Sequence, residues 1–250
     1  MPLIVHHLAL SQSERVVWLC EELGIDYELK RYSRCPMSAP PELTDLHPLG
    51  LVPVIQDDDI TLAESNTCVE YIAQKHGRGR FVLPPGHRNY TAYLYWFHFV
   101  TATLQPALSK RQTLKAMDVV NSPADRFALM EQKFNKDFDD VLDHLNDRLG
   151  RSFWLAGDQF TLADIMIVYS LTTVRCFAPV FLGGHKNILI YLARVSARDG
   201  YRRAKQKSDP DMDITRLTGA TSPRPPITAA STQQIRRELP IHPRPGLYLG

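Results

Sequence analysis

The chain has 250 residues, a formal net charge of +2 and an apolar fraction of 44%, enough for one large or two modest domains with a sizeable core. The near balance of 29 basic and 27 acidic residues excludes a polybasic nucleic-acid arm and an acidic solvating tail. The composition also excludes collagen-like, coiled-coil and disulfide-scaffold proteins. No apolar run approaches the roughly 18 residues that a membrane span needs, so we expect no nucleic-acid partner and no membrane span.

The four cysteines are isolated in the sequence, at positions 20, 35, 68 and 176. None forms a CxxC motif or pairs with a histidine at metal-ligand spacing, so we expect neither a metal site nor a dithiol redox site. The first ten residues lack the basic region of a signal peptide. These features predict a cytoplasmic protein in a reducing compartment.

The first part of the chain, residues 1–80, alternates between strand and helix patterns. The spacing predicts a strand within 3–10, a helix over 14–23 that Gly24 stops, and a half-buried strand over 27–32. Two short apolar runs around three aspartates predict a hairpin over 54–62, and a helix over 65–76 follows. The predicted order is β-α-β, then β-β-α.

The remaining chain changes character twice. Residues 81–91 contain the sequence FVLPPG and read as a linker. Residues 92–207 have a helical pattern, and the nearly continuous apolar run 162–177 predicts the buried central helix of a bundle. Residues 208–250 hold seven of the 18 prolines and almost no aromatics, which favours a disordered or loosely docked tail.

A local folding signal precedes the predicted central helix. Thr161 and Asp164 fit the reciprocal capping pattern, with Asp in place of the usual Glu, and Phe160 with Ile165 fits a hydrophobic staple. We interpret this motif as a folding device without a catalytic role.

The stretch HPLGLVPVI, residues 47–55, places Val52-Pro53 directly before a predicted strand. Proline cannot donate to a sheet, so it needs an edge or a special turn there. A cis peptide is one solution, and it can turn the backbone of Val52 outward, where an extended peptide could pair with it. The alternative is that Pro48 and Pro53 only shape a loop.

Two predicted helices begin with serine motifs. Ser65 is a good N-cap, and the free N–H groups of the helix start suit an α-carboxylate. With Glu64 holding an ammonium, the pair fits an amino-acid zwitterion, the alternative being an ordinary capped helix. In the first turn, Ser11 and Glu14 fit a capping box. A hydroxyl at such a helix start can also stabilise a nearby thiolate. No general base lies in this turn, so Ser11 is a better hydrogen-bond donor than nucleophile.

Taken in this order, the motifs make the sequence resemble the cytosolic glutathione transferases, with the strongest similarity to the theta-like fungal and bacterial branch that includes yeast-type enzymes. The resemblance covers residues 1–207. It implies an α/β thioredoxin-like N-terminal domain, residues 1–80, and an all-α helical-bundle C-terminal domain, residues 92–207. The matching stretches are SQSERVVWLCEELGIDYEL (11–29), APPELTDLHPLGLVPVI (39–55), LAESNTCVEYI (62–72), LQPAL (104–108) and FWLAGDQFTLADIMI (153–167).

The resemblance implies a glutathione site in the N-terminal domain. Val52, before a cis Pro53, would pair its backbone with the cysteinyl part of glutathione. Glu64 and Ser65 would hold the γ-glutamyl end, and His47 would approach the glycine carboxylate.

The resemblance also implies where the chemistry occurs. Ser11 occupies the position of the serine that contacts the glutathione sulfur, and Ser13 is its alternative. Tyr93, Phe97 and Arg175 would line the pocket of the electrophile.

One residue departs from the family pattern. Relatives often carry Lys or Gln where this chain has Leu51, and a missing cation removes about 1–3 kcal/mol of charge-assisted bonding. Either glutathione affinity is weak, or Lys30, Arg34 or His47 substitutes for the missing group.

The implied function is an enzyme, a glutathione transferase that uses glutathione as cosubstrate, without a metal, to attack small apolar electrophiles. Its expected role is detoxification or fungal secondary metabolism, and its expected assembly is a homodimer. The alternatives are a non-catalytic binding or regulatory protein of the same fold, which Leu51 favours, or a glutathione-dependent isomerase or peroxidase.

Overall fold

The computed structural model of the chain describes residues 2–34, 39–116 and 124–224. Its N-terminal part contains a four-stranded mixed sheet in the order β2-β1-β3-β4. β1 pairs in parallel with β2 and antiparallel with β3, and β3 pairs antiparallel with β4. The strands are β1 (Ile4–Leu8), β2 (Glu28–Tyr32), β3 (Val54–Asp57) and β4 (Ile60–Ala63).

Three helices accompany this sheet: α1 (Glu14–Leu23), α2 (Pro41–Thr44) and α3 (Ser65–Lys75). α1 ends where the sequence predicted, because Gly24 has φ 66° and closes the helix through a bond from its N–H to the Cys20 carbonyl. Strands and helices follow one another as β-α-β and then, after the short α2, as β-β-α. This arrangement confirms the predicted α/β thioredoxin-like domain.

The second part of the described chain is helical, which confirms the predicted helical C-terminal domain. Its helices are α4 (Tyr90–Phe99), α5 (Gln105–Ala116), α6 (Ala124–Arg151), α7 (Leu162–Leu171), α8 (Lys186–Ser196), α9 (Asp199–Ser208) and α10 (Ile214–Thr218). A π-helical turn, Val100–Leu104, joins α4 to α5, and a short 3-10 turn, Thr173–Cys176, follows α7. None of the described helices combines the length and apolar character that crossing a membrane requires.

α7 lies at the centre of the helical part, as its apolar sequence predicted, although it ends at Leu171 rather than near residue 177. The predicted capping box is confirmed: the Asp164 carboxylate accepts the Thr161 N–H at 2.9 Å. The same carboxylate also accepts the Leu155 N–H and the Tyr191 hydroxyl. One buried side chain therefore closes the start of α7 and connects it to α8.

α9 packs against α1 and fastens the two parts together. The Arg198 guanidinium donates two hydrogen bonds of 2.7 Å to the Glu22 carboxylate. Deeper in the contact, the buried Glu14 carboxylate accepts hydrogen bonds from Lys205 and from the Thr173 hydroxyl. The predicted capping box of Ser11 and Glu14 is therefore wrong, because the Glu14 carboxylate pairs with the helical part instead of reaching back to its own helix.

The predicted disordered tail begins too early. Residues 208–224 follow α9 in an ordered path that includes α10, and Leu217 is fully buried. Arg175 anchors this path, since its guanidinium donates to the carbonyls of Gly219 and Ala220 at 3.0 and 2.8 Å. The buried guanidinium thus supplies hydrogen bonds to backbone carbonyls of this path. The proline-rich composition, from which we predicted disorder, gives no sign of such a donor. The rest of the predicted tail, residues 225–250, and Cys35 lie outside the described residues.

Candidate functional site

A cavity of about 290 Å³ opens where the turn after β1 meets α5 and α7. This volume is at the lower end of small-molecule sites. Both parts of the chain contribute to its wall. The N-terminal part provides Leu8, Ser11, Gln12, Arg34 and Val52, and the helical part provides Gln105, Leu108, Ser109, Gln112, Tyr169, Ser170 and Val174.

Ser11 faces this cavity, and Ser13 is covered. The Ser13 side chain is fully buried, accepts a hydrogen bond from the Leu8 N–H at 3.1 Å, and lies 2.6 Å from the Ser11 hydroxyl. The turn reaches this shape through Leu10, which has a positive φ of 54°. Of the two serines that the sequence proposed, the geometry therefore favours Ser11 as the hydroxyl that meets a ligand.

Val52 reaches the cavity from the opposite side. The Val52–Pro53 peptide bond is cis, as the family resemblance implied, and Val52 lines the cavity. The Gln12 side-chain amide donates to the Val52 carbonyl at 3.1 Å. This hydrogen bond thus joins the loop before β3 to the turn after β1 across the site.

The start of α3 differs from the prediction. Ser65 is the first helical residue and not the N-cap; the cap position belongs to Glu64, which has a φ of 70° and makes no capping hydrogen bond with its side chain. The Ser65 hydroxyl is 2% exposed and accepts a hydrogen bond from Arg15 at 2.9 Å. The serine is therefore tied to α1, and Glu64 is exposed at the protein surface.

Arg15 is the main residue that sequence reasoning missed. It is fully buried, and its guanidinium donates to the Met166 carbonyl and to the Gln12 side chain, both at 2.8 Å. Burial lowers the pKa of Arg15 to about 10, so the group stays charged at neutral pH. A cation among the apolar residues of α1 was the available signal, because a buried charge needs specific partners.

The positive charge of Arg15 adds to the free N–H groups at the start of α3 and makes this corner suitable for an anion. The Tyr169 ring lies 5.2 Å from the Arg15 guanidinium and also borders the cavity. A carboxylate bound near Ser65 would meet a helix start and a buried cation. A sulfur bound near Ser11 would meet a hydroxyl and the start of α1.

Three side chains predicted for the electrophile pocket lie elsewhere. Tyr93 and Phe97 are buried in the core and stack on each other with ring centroids 5.6 Å apart. Tyr93 also borders a different cavity, of about 450 Å³, beside the linker. Arg175 is buried, with its Nε donating to the Val180 carbonyl at 3.0 Å. None of the three is among the residues that line the cavity with Ser11, because core packing and backbone carbonyls occupy these groups, and their assignment to the electrophile pocket stays a prediction.

His47 is also absent from the cavity wall. Its Nδ1 accepts the Leu49 N–H at 3.2 Å within its own loop. Gln105 takes a place that the sequence did not assign: it follows the π-helical turn and donates to the Gln12 side chain at 3.4 Å. Inserted turns of this kind often mark functional positions, but helical periodicity does not reveal them.

The described cysteines are buried away from the cavity wall. Burial raises the pKa of the Cys68 thiol to about 12 and that of Cys176 to about 11, and it raises the pKa of Cys20 as well. Thiols in such surroundings are poor nucleophiles. Among the cavity-lining residues, the hydroxyls and not a thiol are therefore the candidates for contact with a reacting group.

Comparison with known proteins agrees with this division of the chain. Residues 11–75 match the family model described as glutathione S-transferase, N-terminal domain. Residues 124–203 match the model described as glutathione S-transferase, C-terminal domain. The two matches lie on either side of the cavity.

Individual relatives extend over most of the chain. Glutathione S-transferase 3 of Schizosaccharomyces pombe is 30% identical and covers 89% of this chain and 97% of its own length. A glutathione S-transferase structure from Actinobacillus pleuropneumoniae has 30% identity and a TM-score of 0.75, covering 86% of this chain and 96% of the other. A Phanerochaete chrysosporium glutathione transferase in complex with oxidized glutathione shares the fold, with 19% identity, a TM-score of 0.67, and coverage of 82% and 96%.

Proposed function

The chain belongs to the glutathione S-transferase family of enzymes, and from that premise we propose that it joins the sulfur of glutathione to small apolar electrophiles in the cavity beside Ser11. The observation that carries this proposal is the meeting of Ser11 and Val52 in one cavity, with Arg15 linking the first turn to Ser65. These groups match the three parts of the tripeptide: a thiol, a peptide backbone and a zwitterionic end.

The residues present fit glutathione. The backbone of Val52, before Pro53, would pair with the cysteinyl peptide group. The start of α3 at Ser65, with Arg15 behind it, would hold the γ-glutamyl carboxylate. Glu64 is exposed beside this corner and would pair with the ammonium.

The task of Ser11 is to favour the thiolate form of the sulfur. Lowering a thiol pKa by two units from its usual value near 8.5 requires about 2.7 kcal/mol. A hydrogen bond from a hydroxyl to the anion, together with the positive end of the α1 dipole, is of this size. Holding the thiolate against the electrophile would then raise the rate by proximity.

The electrophile would occupy the part of the cavity that the helical domain lines. Leu108, Val174 and Tyr169 supply apolar surface there, which suits a small apolar compound. Gln105, Ser109 and Gln112 add hydrogen-bonding groups on the same side.

Because Leu51 stands where relatives often carry Lys or Gln, the affinity for glutathione depends on whether another basic group takes that role. Arg34 lines the cavity, whereas Lys30 pairs with Glu28 on the sheet at 3.8 Å. Of the basic groups that the sequence offered as substitutes for the missing cation, Arg34 is therefore placed best. Its guanidinium donates to the Ala9 carbonyl at 2.9 Å, which holds the charge beside the first turn.

The wider setting is part of the same proposal. We propose the theta-like, yeast-type branch, in keeping with the 30% identity to a relative from Schizosaccharomyces pombe, and a role in detoxification or fungal secondary metabolism. We place the protein in the cytoplasm and expect a two-fold homodimer. α4 exposes Leu94 and Tyr95, apolar surface that a second subunit could cover.

Calorimetric titration with glutathione tests the assignment, using wild type, Ser65→Ala and Ser11→Ala. We expect micromolar to millimolar binding by wild type, binding weakened at least about tenfold in Ser65→Ala, corresponding to about 1.4 kcal/mol, and retained binding with a raised thiol pKa in Ser11→Ala. Ser196→Ala at the end of α8 is the matched control, because that hydroxyl donates to the Ala193 carbonyl of its own helix and is not among the residues that line the cavity.

Turnover of a chlorinated aromatic separates the enzyme from a binding module. Binding without conjugation by wild type would favour the non-catalytic alternative that Leu51 suggests. A Ser65→Ala variant that binds as tightly as wild type would show that the corner at α3 does not hold the ligand.

A further inference from the structure

A buried chain of hydrogen bonds starts at the Ser11 hydroxyl and ends at a carboxylate from the far end of the sequence. Ser11 Oγ lies 2.6 Å from Ser13 Oγ, and Ser13 Oγ lies 2.9 Å from His7 Nδ1. On the other side of the ring, His7 Nε2 lies 3.4 Å from Asp209 Oδ1. All four side chains are buried, and His7 and Ser13 are fully enclosed. The first turn, where the sequence showed no general base, therefore has an imidazole within hydrogen-bond distance in the tertiary structure.

The direction of these hydrogen bonds follows from the donors present. Burial alone would raise the pKa of Asp209, but the hydrogen bond from His7 and the charge of Lys205 outweigh it and hold that pKa well below its usual range. Asp209 is thus an ionised acceptor, which also takes the Leu10 N–H at 2.9 Å. A carboxylate can only accept, so His7 Nε2 carries a proton, and in the imidazole form of the ring Nδ1 is bare.

The hydroxyl protons of Ser11 and Ser13 must then both be directed along the chain toward His7. Ser13 donates its only hydroxyl proton to His7 Nδ1 at 2.9 Å, a closer acceptor than the Leu8 carbonyl at 3.4 Å. Ser13 Oγ accepts the Leu8 N–H, so its remaining lone pair takes the Ser11 hydroxyl. Ser11 Oγ in turn accepts the Ser13 N–H at 3.2 Å. One lone pair of Ser11 is left, and Ser11 lines the cavity.

We propose that Ser11, Ser13 and His7 form a proton wire that takes the proton of the bound glutathione thiol and stores it on His7, with Asp209 holding the imidazolium. This inference rests on the proposed function. The S–H bond breaks as Ser11 Oγ takes that proton; the Ser11 proton passes to Ser13 Oγ, and the Ser13 proton passes to His7 Nδ1. One proton leaves the thiol and one arrives at the His7 ring, so Ser11 and Ser13 each end the transfer with one hydroxyl proton.

The transfer reverses the hydrogen bonds between the sulfur and His7 Nδ1, while His7 Nε2 still donates to Asp209. His7 Nδ1–H then donates to Ser13, Ser13 donates to Ser11, and Ser11 donates to the sulfur anion. This is the arrangement in which a hydroxyl stabilises a thiolate. The wire therefore explains how one side chain first accepts the proton and afterwards serves as the donor that the family resemblance assigns to Ser11.

The charges around His7 permit the extra proton. Glu14 of α1 pairs with Lys205 of α9, and Lys205 also lies 3.9 Å from Asp209. Arg34, after β2, lies on the cavity side, where the sulfur anion would form. The neighbouring ionisable groups of the helical part, Tyr169, Tyr201 and Cys176, are neutral because burial raises the pKa of each. A thiolate and an imidazolium formed together leave the total charge of this buried region unchanged.

Proton counting tests the wire directly. Glutathione binding is measured by calorimetry at pH 7.5 in buffers of different ionisation enthalpy, while ultraviolet absorption reports the thiolate. At this pH free glutathione carries its thiol proton, since an ordinary thiol has a pKa of about 8.5. We expect the wild type to form thiolate and release close to no proton. Thiolate formation with about one proton released per site would overturn the wire and leave the proposed function standing; absence of glutathione binding would remove both.

His7→Gln is the main variant, because glutamine keeps hydrogen-bonding groups but cannot store a proton. We expect its thiolate fraction to fall about tenfold and the pH midpoint of kcat/KM to rise by about one unit, with glutathione Kd within about twofold of wild type. His6→Gln is the matched control: His6 is equally buried on the same strand but contacts Tyr32 and Gln56. We expect it to behave as wild type.

Asp209→Asn provides a second variant in case His7→Gln does not fold. An asparagine oxygen can still accept from His7 but lacks the charge that stabilises an imidazolium. We expect the pH midpoint of kcat/KM to rise by about one unit and about one proton to be released for each thiolate formed. A folded variant of either kind with wild-type thiolate and wild-type proton count would show that the chain only supports the turn.

Discussion

Arg15 and Arg175 are both almost completely buried, yet they lie in different kinds of surroundings. Burial lowers the pKa of each to about 10. Arg15 donates to the side chains of Gln12, which lines the cavity, and of Ser65 at the start of α3, and also to the Met166 carbonyl. Among the described residues, the acceptors of Arg175 are all backbone carbonyls, including those of Val180 and Ala220.

The difference shows what a buried cation can do. Backbone carbonyls accept the hydrogen bonds of the Arg175 guanidinium, and these bonds hold the segment after α9 in place. Side-chain hydroxyl and amide groups also satisfy Arg15, but they leave its charge next to a cavity where an anion can approach. The two arginines are therefore equally buried. The groups that they bond decide the role: backbone carbonyls give Arg175 a structural role, and side chains near the cavity suit Arg15 to ligand binding.

The largest expected effect belongs to Arg15→Met. We expect glutathione Kd to rise at least about tenfold and the free energy of unfolding to fall by about 2–3 kcal/mol. The reason is that the Met166 carbonyl loses its charged donor and the corner at Ser65 loses its cation. Calorimetry and urea denaturation measure the two effects. An unchanged Kd in the folded variant would place Arg15 in the same class as Arg175.

Arg175→Met should affect stability alone. Removing the guanidinium takes the charged donor away from the Val180, Gly219 and Ala220 carbonyls, which we expect to cost about 2–3 kcal/mol. Limited proteolysis should then cut within residues 209–224 faster than in wild type, while glutathione Kd stays within about twofold. A weakened Kd with intact stability would return Arg175 to the pocket where the sequence first placed it.

Asp57 is a buried carboxylate that has charged partners, in contrast to the two arginines, and acid titration can test its contribution to stability. Asp57 accepts hydrogen bonds from His76 at 2.7 Å and Tyr71 at 2.9 Å and pairs with Lys75. Burial alone would raise its pKa, but these partners lower it from 3.8 to about 2. Because the folded value lies below the unfolded one, this stabilisation is present above pH 3.8 and is lost as the pH falls toward 2.

Asp57→Asn measures that contribution. We expect thermal melts between pH 4 and about 2 to depend less steeply on pH in the variant than in wild type. Arg15 and Arg175 have neutral partners and stay charged below pH 8, so Arg175→Met should keep the wild-type slope. Parallel slopes for wild type and Asp57→Asn would show that Asp57 is not the group that titrates.

Ser170→Ala should have the smallest effect. Ser170 Oγ lies 3.4 Å from Arg15, a long hydrogen bond, whereas Ser65 Oγ lies 2.9 Å away. We expect a change in stability within about 0.5 kcal/mol and little change in glutathione Kd. An effect as large as that of Ser65→Ala would mean that the charge of Arg15 is directed toward α7 rather than α3.

The sequence was sufficient for the local elements. The spacing of apolar residues placed α1 at residues 14–23, and Gly24 ended it as predicted. The Thr161 and Asp164 motif gave the start of α7 because its partners lie three residues apart. Such predictions succeed where donor and acceptor are neighbours in the chain.

The same reasoning was wrong where the partner is distant. Ser11 with Glu14, and Ser65 alone, have the residue types of helix caps. Glu14 instead pairs with Lys205, 191 positions away, and Ser65 accepts from Arg15, 50 positions away. A local pattern cannot reveal a competing donor that folding brings from a distant part of the chain.

The sequence by itself therefore determined the order of strands and helices, the family, and the stretches that surround the cavity. The tertiary structure decided that Ser11 rather than Ser13 lines that cavity. It also decided which buried groups stand behind the wall: Arg15, through Gln12, rather than Arg175, and His7 with Asp209. The physical reason is that helices and turns are specified by hydrogen bonds and apolar spacing within a few residues. The environment of a buried charge is set by whichever groups the folded chain packs around it.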